Sequence, residues 1–298
     1  MFNQPKLSVI TVVLNGEDFI DSCLENVISQ DCPWAEHLVI DGGSKDATVS
    51  VVKDFMIRYP HIRLWTELGL NQAAAMNRGV ALARGGIVGF LNDDDYYNPG
   101  VLNRILSLFD QLPEPTFLAG NCNVRDLDEK IIEVNKPQKL ELRDLLTGNQ
   151  FCPHPVNPSA YFYHKSLHAL TGPYRTDDDY SLDLDFILKA VQCAHVCYIN
   201  ETWGNFRFIA GTKTFEDNLA PHQAEGREQR VLDAFYRRLP FSDKMYVKGG
   251  RFYNKSKHYR VVLTHCKHFR DYCLPGQGCA RHLFLKQFLS QYPSKVFQ

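Results

Sequence analysis

The chain has 298 residues, 44% hydrophobic and 22% charged, a composition that excludes disordered, collagen-like and disulfide-framework classes and suits one large domain or two small ones. It lacks any run of 18 or more apolar residues, its N-terminus passes directly into a strand-like segment without a leader, and nine cysteines are an odd count, so it reads as a cytoplasmic protein with reduced thiols. Of its 33 bases and 34 acids, 11 bases and one acid (Asp271) fall in residues 244–298, leaving 22 bases and 33 acids in residues 1–243: an acidic body carries a cationic tail that attracts polyanions.

Leu7–Leu14 is almost continuously apolar, as expected of a strand buried on both faces. In Asp18–Ser29 the apolar residues Phe19, Ile20, Cys23, Leu24, Val27 and Ile28 recur at helical spacing. A second strand (His37–Ile40), a helix (about Asp46–Arg58), a third strand (Ile62–Trp65), a third helix (Gln72–Ala83) and a fourth strand (Gly86–Leu91) follow. This alternation predicts an α/β fold: a mostly parallel sheet flanked by helices, with ligands bound beyond the carboxyl ends of the strands. After Pro99 the order loosens. Thr116–Val124 and Lys130–Val134 read as an antiparallel pair around the turn Arg125–Glu129, and Cys152–Pro158 is a proline-broken loop. A helix over about Tyr180–Cys193 precedes strands at Val196–Ile199 and Gly204–Ile209, and the remainder, including Gln223–Leu239 and Ala280–Gln291, is mostly helical.

Acidic side chains gather where the predicted strands end. Asp41 opens the turn Asp41-Gly42-Gly43-Ser44-Lys45-Asp46, whose glycines permit close backbone approach and whose following helix aims its N-terminus at the same place. An ordinary strand-to-helix turn capped by Ser44 would look the same. Asn92-Asp93-Asp94-Asp95 follows the fourth strand at the same sheet edge. Adjacent carboxylates repel one another, and a hard divalent cation, Mn²⁺ or Mg²⁺, held by one or two of them and by substrate phosphates, offsets that repulsion. A solvated acidic turn is the plain alternative, and it is the reading for Asp177-Asp178-Asp179 beside Arg175 and Thr176. Asp183 and Asp185 share a helix but, two residues apart, point to nearly opposite sides, so only one can face a given cleft as a general base.

Together these segments resemble the family 2 glycosyltransferases, inverting enzymes with the GT-A nucleotide-diphospho-sugar transferase fold. The matches are Ser8–Asn15, Asp41–Thr48, Ala75–Gly79, Gly89–Asp95, and Gly172-Pro173-Tyr174 leading to Asp183–Lys189, within roughly residues 6–215. The resemblance implies a catalytic domain over residues 1–215, with residues 216–298 forming a mostly helical, basic C-terminal extension. It implies that Thr11, Asn15 and Asn77 contribute to the nucleotide-sugar site, that Asp41 hydrogen-bonds the base, and that Asn92 and Asp93 continue that site. Asp94 would be the main Mn²⁺ or Mg²⁺ contact to the diphosphate and Asp183 the catalytic base. This chain departs from the family at Asn92, Gly69 and Ala74, which stand where many relatives carry acids, and at Leu182, where a glutamate often precedes the base. The implied reaction moves a sugar from a nucleoside-diphosphate donor to an acceptor hydroxyl.

The acceptor side falls to His154 and Asn157 in the proline-rich loop, and Arg207 is a candidate for the diphosphate. Family habit makes the acceptor a glycan or a polyprenyl-diphosphate lipid. Aromatic and basic residues interleave over Arg251–Arg260, which suits peripheral contact with the inner face of a membrane. No recognition motif points to nucleic acid. Cys266, Cys273, Cys279 and His282 lack the tight spacing of a structural zinc site. Two other classes compete: a nucleotidyltransferase making sugar nucleotides, for which Leu14–Asp18 is acidic where a basic glycine-rich loop is needed, and a catalytically inactive sugar-nucleotide-binding scaffold.

Overall fold

The structure, a computed structural model, describes residues 4–126, 128–148, 152–177, 181–208 and 221–253. Strand and helix alternate through the first third: β1 (Leu7–Val13), α1 (Ile20–Ser29), β2 (Ala35–Asp41), α2 (Thr48–Arg58), β3 (Ile62–Thr66), α3 (Gln72–Leu82) and β4 (Ile87–Phe90). β1 pairs in parallel with both β2 and β4, and β2 with β3. Leu7 and Val9 share an apolar cluster with Cys23 and Val27 of α1, whereas Ile10 joins Leu38, Ile40, Val88 and Phe90 in a cluster with Ala73, Met76 and Val80 of α3. The sheet is therefore buried on both faces, which is why β1 carries almost no alternation of polarity.

The second part contains β5 (Tyr96–Tyr97), α4 (Val101–Phe109), β6 (Thr116–Arg125), β7 (Ile131–Asn135), α5 (Leu142–Leu145), β8 (Tyr161–His164), α6 (His168–Thr171), α7 (Leu182–Cys193), β9 (His195–Arg207) and α8 (Pro221–Arg238), followed by α9 over 241–253. Among the described residues the sheet order is β3-β2-β1-β4-β8-β6-β9-β5, with β7 on β6. β8 runs antiparallel to both β4 and β6, and two reversals restore direction, so β6 and the parallel β9 run with β4. The carboxyl ends of β1, β2, β4, β6 and β9 thus share one edge, and β8 begins there.

The expected mostly parallel sheet is a parallel quartet continued by mixed strands. The antiparallel β6–β7 pair forms as expected, with a register shift at Val124/Arg125. The two strands expected around 196–209 are one, β9, irregular where it passes Ala119–Cys122; its polar centre Asn200-Glu201-Thr202 reads as a turn in sequence. α4 and β8 go beyond the sequence reading. α4 opens at Gly100 (φ 77°) and buries Val101, Leu102, Ile105, Leu106 and Phe109. β8 has Tyr161, Phe162 and Tyr163 all buried, so four residues offer no alternation to detect. The expected helix Ala280–Gln291 and the Cys266–His282 cluster lie outside the described residues. Val231, Leu232, Phe235, Leu239 and Val247 of α8, α9 and their junction join the same apolar cluster as α3 and α7.

Gly204 of β9 lies directly on Ser159; a Cβ there would overlap the Ser159 hydroxyl and stand 2.9 Å from its carbonyl carbon. Overpacking against backbone costs about 1–3 kcal/mol. Gly204→Ala is expected to lower the melting temperature by several degrees, checked by thermal denaturation; an unchanged midpoint would mean that the 157–160 segment yields freely.

Candidate active site

The turns that leave β1 and β2 are stitched to each other. Asn15, in the left-handed region (φ 54°), donates its backbone N–H to Ser44 Oγ at 2.8 Å, and its side-chain carbonyl accepts from Lys45 N–H at 2.9 Å. Gly16 N–H donates to Thr48 Oγ1 at 2.9 Å, and Ala47 N–H to Glu17 Oε2 at 2.8 Å. Buried Asp41 holds its own turn, accepting from Ser44 N–H at 3.0 Å and Gly43 N–H at 3.2 Å. At 0% exposure its two oxygens are spent on that turn. Leu14 and Leu68, 59% and 81% exposed, flank the Gly42-Gly43 step, where an added Cβ would meet their side chains. Sequence reasoning did not single them out; an exposed leucine at a buried strand's end is the signal.

The acidic turn after β4 is organised around Asp95, whose carboxylate is 2% exposed. It accepts from Asn157 Nδ2 at 2.7 Å, Asn92 Nδ2 at 2.9 Å and the backbone N–H of Arg207 at 3.1 Å. The amide at position 92 is therefore a structural donor, since an acid there would place a second carboxylate against Asp95. Burial, then the neighbouring Asp94, holds the Asp95 carboxyl well above the usual range despite those donors. Burial, then Asp94, pushes Asp93 up to about 7. Burial also raises Asp94, against the opposing charge of Arg207. Asp93 lies so close to Gly16 that a Cβ at Gly16 would overlap its Oδ2.

Among the described residues no ion pair reaches Asp93 or Asp94, and no group of three or more His, Cys, Asp or Glu side chains forms a cage. Two neighbouring carboxylates without an ion pair can give one or two oxygens to a hard divalent cation whose remaining positions are filled by phosphate and water. The residues present fit such an ion. Arg207 donates from Nη1 to the Asp94 carbonyl at 3.4 Å, is paired through Nε with Glu129 at 2.6 Å, and lies over the Tyr96 ring.

Asp183 and Asp185 diverge as their spacing requires. Asp185, 6% exposed, is tied to Lys189 at 2.6 Å; half-buried Asp183, in the first turn of α7, accepts a 2.7 Å hydrogen bond from Tyr161 Oη. Tyr161 follows Asn157 by four residues, so the two Cα atoms are no more than about 14 Å apart. One short segment thus braces both Asp95 and Asp183.

The other expected site residues are structural in their contacts. Thr11 is fully buried: its hydroxyl donates to the Leu91 carbonyl at 2.8 Å and lies 2.9 Å from His37 Nε2, beneath the acidic turn rather than on an open wall. Asn77 joins α3 to the strand-side segment through reciprocal bonds with the Tyr174 backbone at 2.8 and 2.9 Å. Asn157, 3% exposed, gives its amide to Asp95 and accepts from Ser159 N–H. His154 offers its carbonyl to Asn135 Nδ2, and burial pushes its imidazole down to about 4.

Residues 8–166, more than half of the chain, match Glycosyl transferase family 2. The chain belongs to that family. Family membership makes it a glycosyltransferase. It is 28% identical over 279 residues to an uncharacterized glycosyltransferase of Mycobacterium tuberculosis (strain ATCC 25618 / H37Rv), Rv1514c, across 89% of this chain and 98% of that one. Among solved structures it resembles residues 1–349 of Staphylococcus aureus TarS in complex with UDP (TM-score 0.61, 16% identity, 81% of this chain and 68% of that one). It also resembles the mannosyltransferase PcManGT of Pyrobaculum calidifontis in complex with GDP-Man and Mn²⁺ (TM-score 0.57, 17% identity, 97% and 81%). These likenesses show the GT-A fold.

The raised carboxyl of Asp93 gives stability a definite slope in metal-free buffer. Its proton stays bound in the folded state up to about pH 7, but in the unfolded chain only to about pH 4. Stability from this group is full below about pH 4 and is lost as pH rises through about 7. The fall in melting temperature from about pH 5 to about pH 8 should be smaller in Asp93→Asn than in wild type; equal falls would locate the slope elsewhere.

Proposed function

We propose that this family 2 enzyme is a metal-dependent, inverting glycosyltransferase that moves a sugar from a nucleoside-diphosphate donor to an acceptor hydroxyl in polysaccharide or glycan assembly. The observation that carries the reading is an acidic turn, Asp93-Asp94-Asp95, whose Asp95 is braced by the same 157–161 segment that hydrogen-bonds the carboxylate of Asp183. The exposed leucines beside the Asp41 turn suit the flat apolar face of a nucleobase. Asp94, with Asp93 beside it, would hold a divalent cation, which would supply positive charge to the departing diphosphate. Arg207 adds a fixed positive charge on the same side. Asp183, oriented by Tyr161, takes the acceptor hydroxyl's proton as that oxygen attacks the anomeric carbon from the face opposite the diphosphate, and one displacement inverts the centre.

The UDP bound to TarS and the GDP-Man and Mn²⁺ bound to PcManGT support a metal-assisted nucleotide-sugar donor. For the acceptor we favour a glycan or a polyprenyl-diphosphate lipid, reached through the 152–157 loop. Residues 1–215 would carry the reaction and residues 216–298 would make peripheral contact at the inner face of a membrane. No helix among the described residues is long and apolar enough to cross one.

Two measurements test the reaction. A ligand that binds only the folded state raises its melting point, so one of the diphosphates UDP, GDP or dTDP, and not the monophosphate CMP, should give a Mn²⁺-dependent thermal shift that Asp94→Ala abolishes. Retention of that shift in Asp94→Ala would remove the metal assignment. Once a donor is known, Asp183→Asn should keep the shift but lower kcat by about 10²–10⁴-fold; an unchanged rate would exclude Asp183 as base, and no turnover by wild type would favour a binding scaffold.

A further inference from the structure

α9 has two unlike sides. Its inner side is bolted to the body: Val247 is fully buried, Tyr246 Oη donates to Asp144 at 2.6 Å, and Arg251 Nε donates to the Leu146 carbonyl at 2.9 Å. Gly250 packs so closely on Thr147 that a Cβ would stand 2.7 Å from its methyl group. The outer side carries Phe241, Met245 and Phe252, which are 80%, 54% and 76% exposed. At 100° per residue these three and Lys248 fall within an arc of about 60°. Lys244 lies along one flank of that stripe; Arg251 is held inward by Asp233 and the Leu146 carbonyl, and Asp243, the sole acid between 241 and 253, lies on the inner side.

We propose that this outer face seats the protein on an anionic phospholipid surface. An apolar stripe edged by cations lies in the headgroup boundary, with rings below and ammonium groups among lipid phosphates. Charge complementarity selects that occupant. The chain beyond the helix, residues 254–298, holds eight bases and one acid, so these lysines repel it as a cover. The acidic body, with 22 bases and 33 acids in residues 1–243, is itself repelled by an anionic surface, which leaves this end to face the lipid. The inference sharpens the membrane contact proposed above by assigning its surface, and it does not depend on the transfer reaction.

The test is co-sedimentation of the full chain with vesicles of phosphatidylcholine alone or mixed with phosphatidylglycerol. Wild type should bind the anionic vesicles, weaken as salt is raised, and ignore the neutral ones. Phe241→Ser/Phe252→Ser, with the basic tail intact, should bind anionic vesicles at least about tenfold more weakly, with unchanged melting temperature and elution volume in lipid-free buffer. Wild-type affinity in the double variant would overturn the stripe while leaving membrane contact through another surface. Failure of wild type to bind would overturn membrane contact altogether. A lowered melting temperature in the variant would assign the stripe to cover by the chain's own tail, and a smaller oligomer to a second copy; either overturns the proposal. Lys244→Glu/Lys248→Glu should bind anionic vesicles at least about tenfold more weakly at equal salt, and wild-type affinity would also overturn it.

Discussion

Three carboxylates in a row at the end of a buried strand are the constraint around which this molecule is arranged. Asp95 cannot reach solvent, so its carboxyl oxygens are met by amide and backbone donors from Asn92, Asn157 and β9. Those donors draw three separate segments onto one turn. Asp93 and Asp94 are partly buried, which raises their pKa values, and have no ion pair among the described residues, which suits a cation and phosphate at the turn. Hydrogen-bonding one acid internally and leaving two without an ion pair separates structural from chemical roles within consecutive residues.

The sheet supplies the geometry that this division requires. β8 enters antiparallel between β4 and β6, so the chain can arrive at the site edge from Asn157 and leave as Tyr161 without a long crossover. From β9, Asn205 holds Asn123, Arg125 and Asn98 through its two side-chain atoms, and Arg207 follows directly onto Asp94 and Asp95. A buried amide whose donors and acceptor are all engaged fixes the relative height of three strands and thereby where Arg207 stands. Beneath the turn, Thr11 and His37 form a polar pair that supports the Leu91 carbonyl. The site is held from the sides and from below, and its mouth is formed by exposed leucines and the half-buried Asp183.

The relation to the solved glycosyltransferases is one of architecture. At 16–17% identity the sheet and flanking helices persist while most side chains differ. That persistence follows from the βα alternation, which any suitably patterned sequence satisfies, whereas the amide at position 92 depends on the local contact with Asp95. A substitution that looks like a lost ligand in sequence is, in space, the donor that keeps Asp95 satisfied.

What the sequence by itself determined is the part of the protein built from local periodicity: β1 to α3, the β6–β7 pair, α7, and the placement of Asp41 and Asn92–Asp95 at strand ends. Hydrophobic spacing and glycine-rich turns are encoded within a few residues, so they are legible without a fold. Tertiary structure alone decided which residues support and which face outward. Thr11 and Asn157 look like site residues in sequence and are buried braces, because burial depends on strand parity and on partners 80 and 62 residues away. Asp183 rather than Asp185 meets Tyr161 because helix spacing separates them but only packing chooses between them. β8 is not legible because four residues after a proline-broken loop are too short a run to mark a strand, and its position between β4 and β6 is a long-range pairing that no local pattern records.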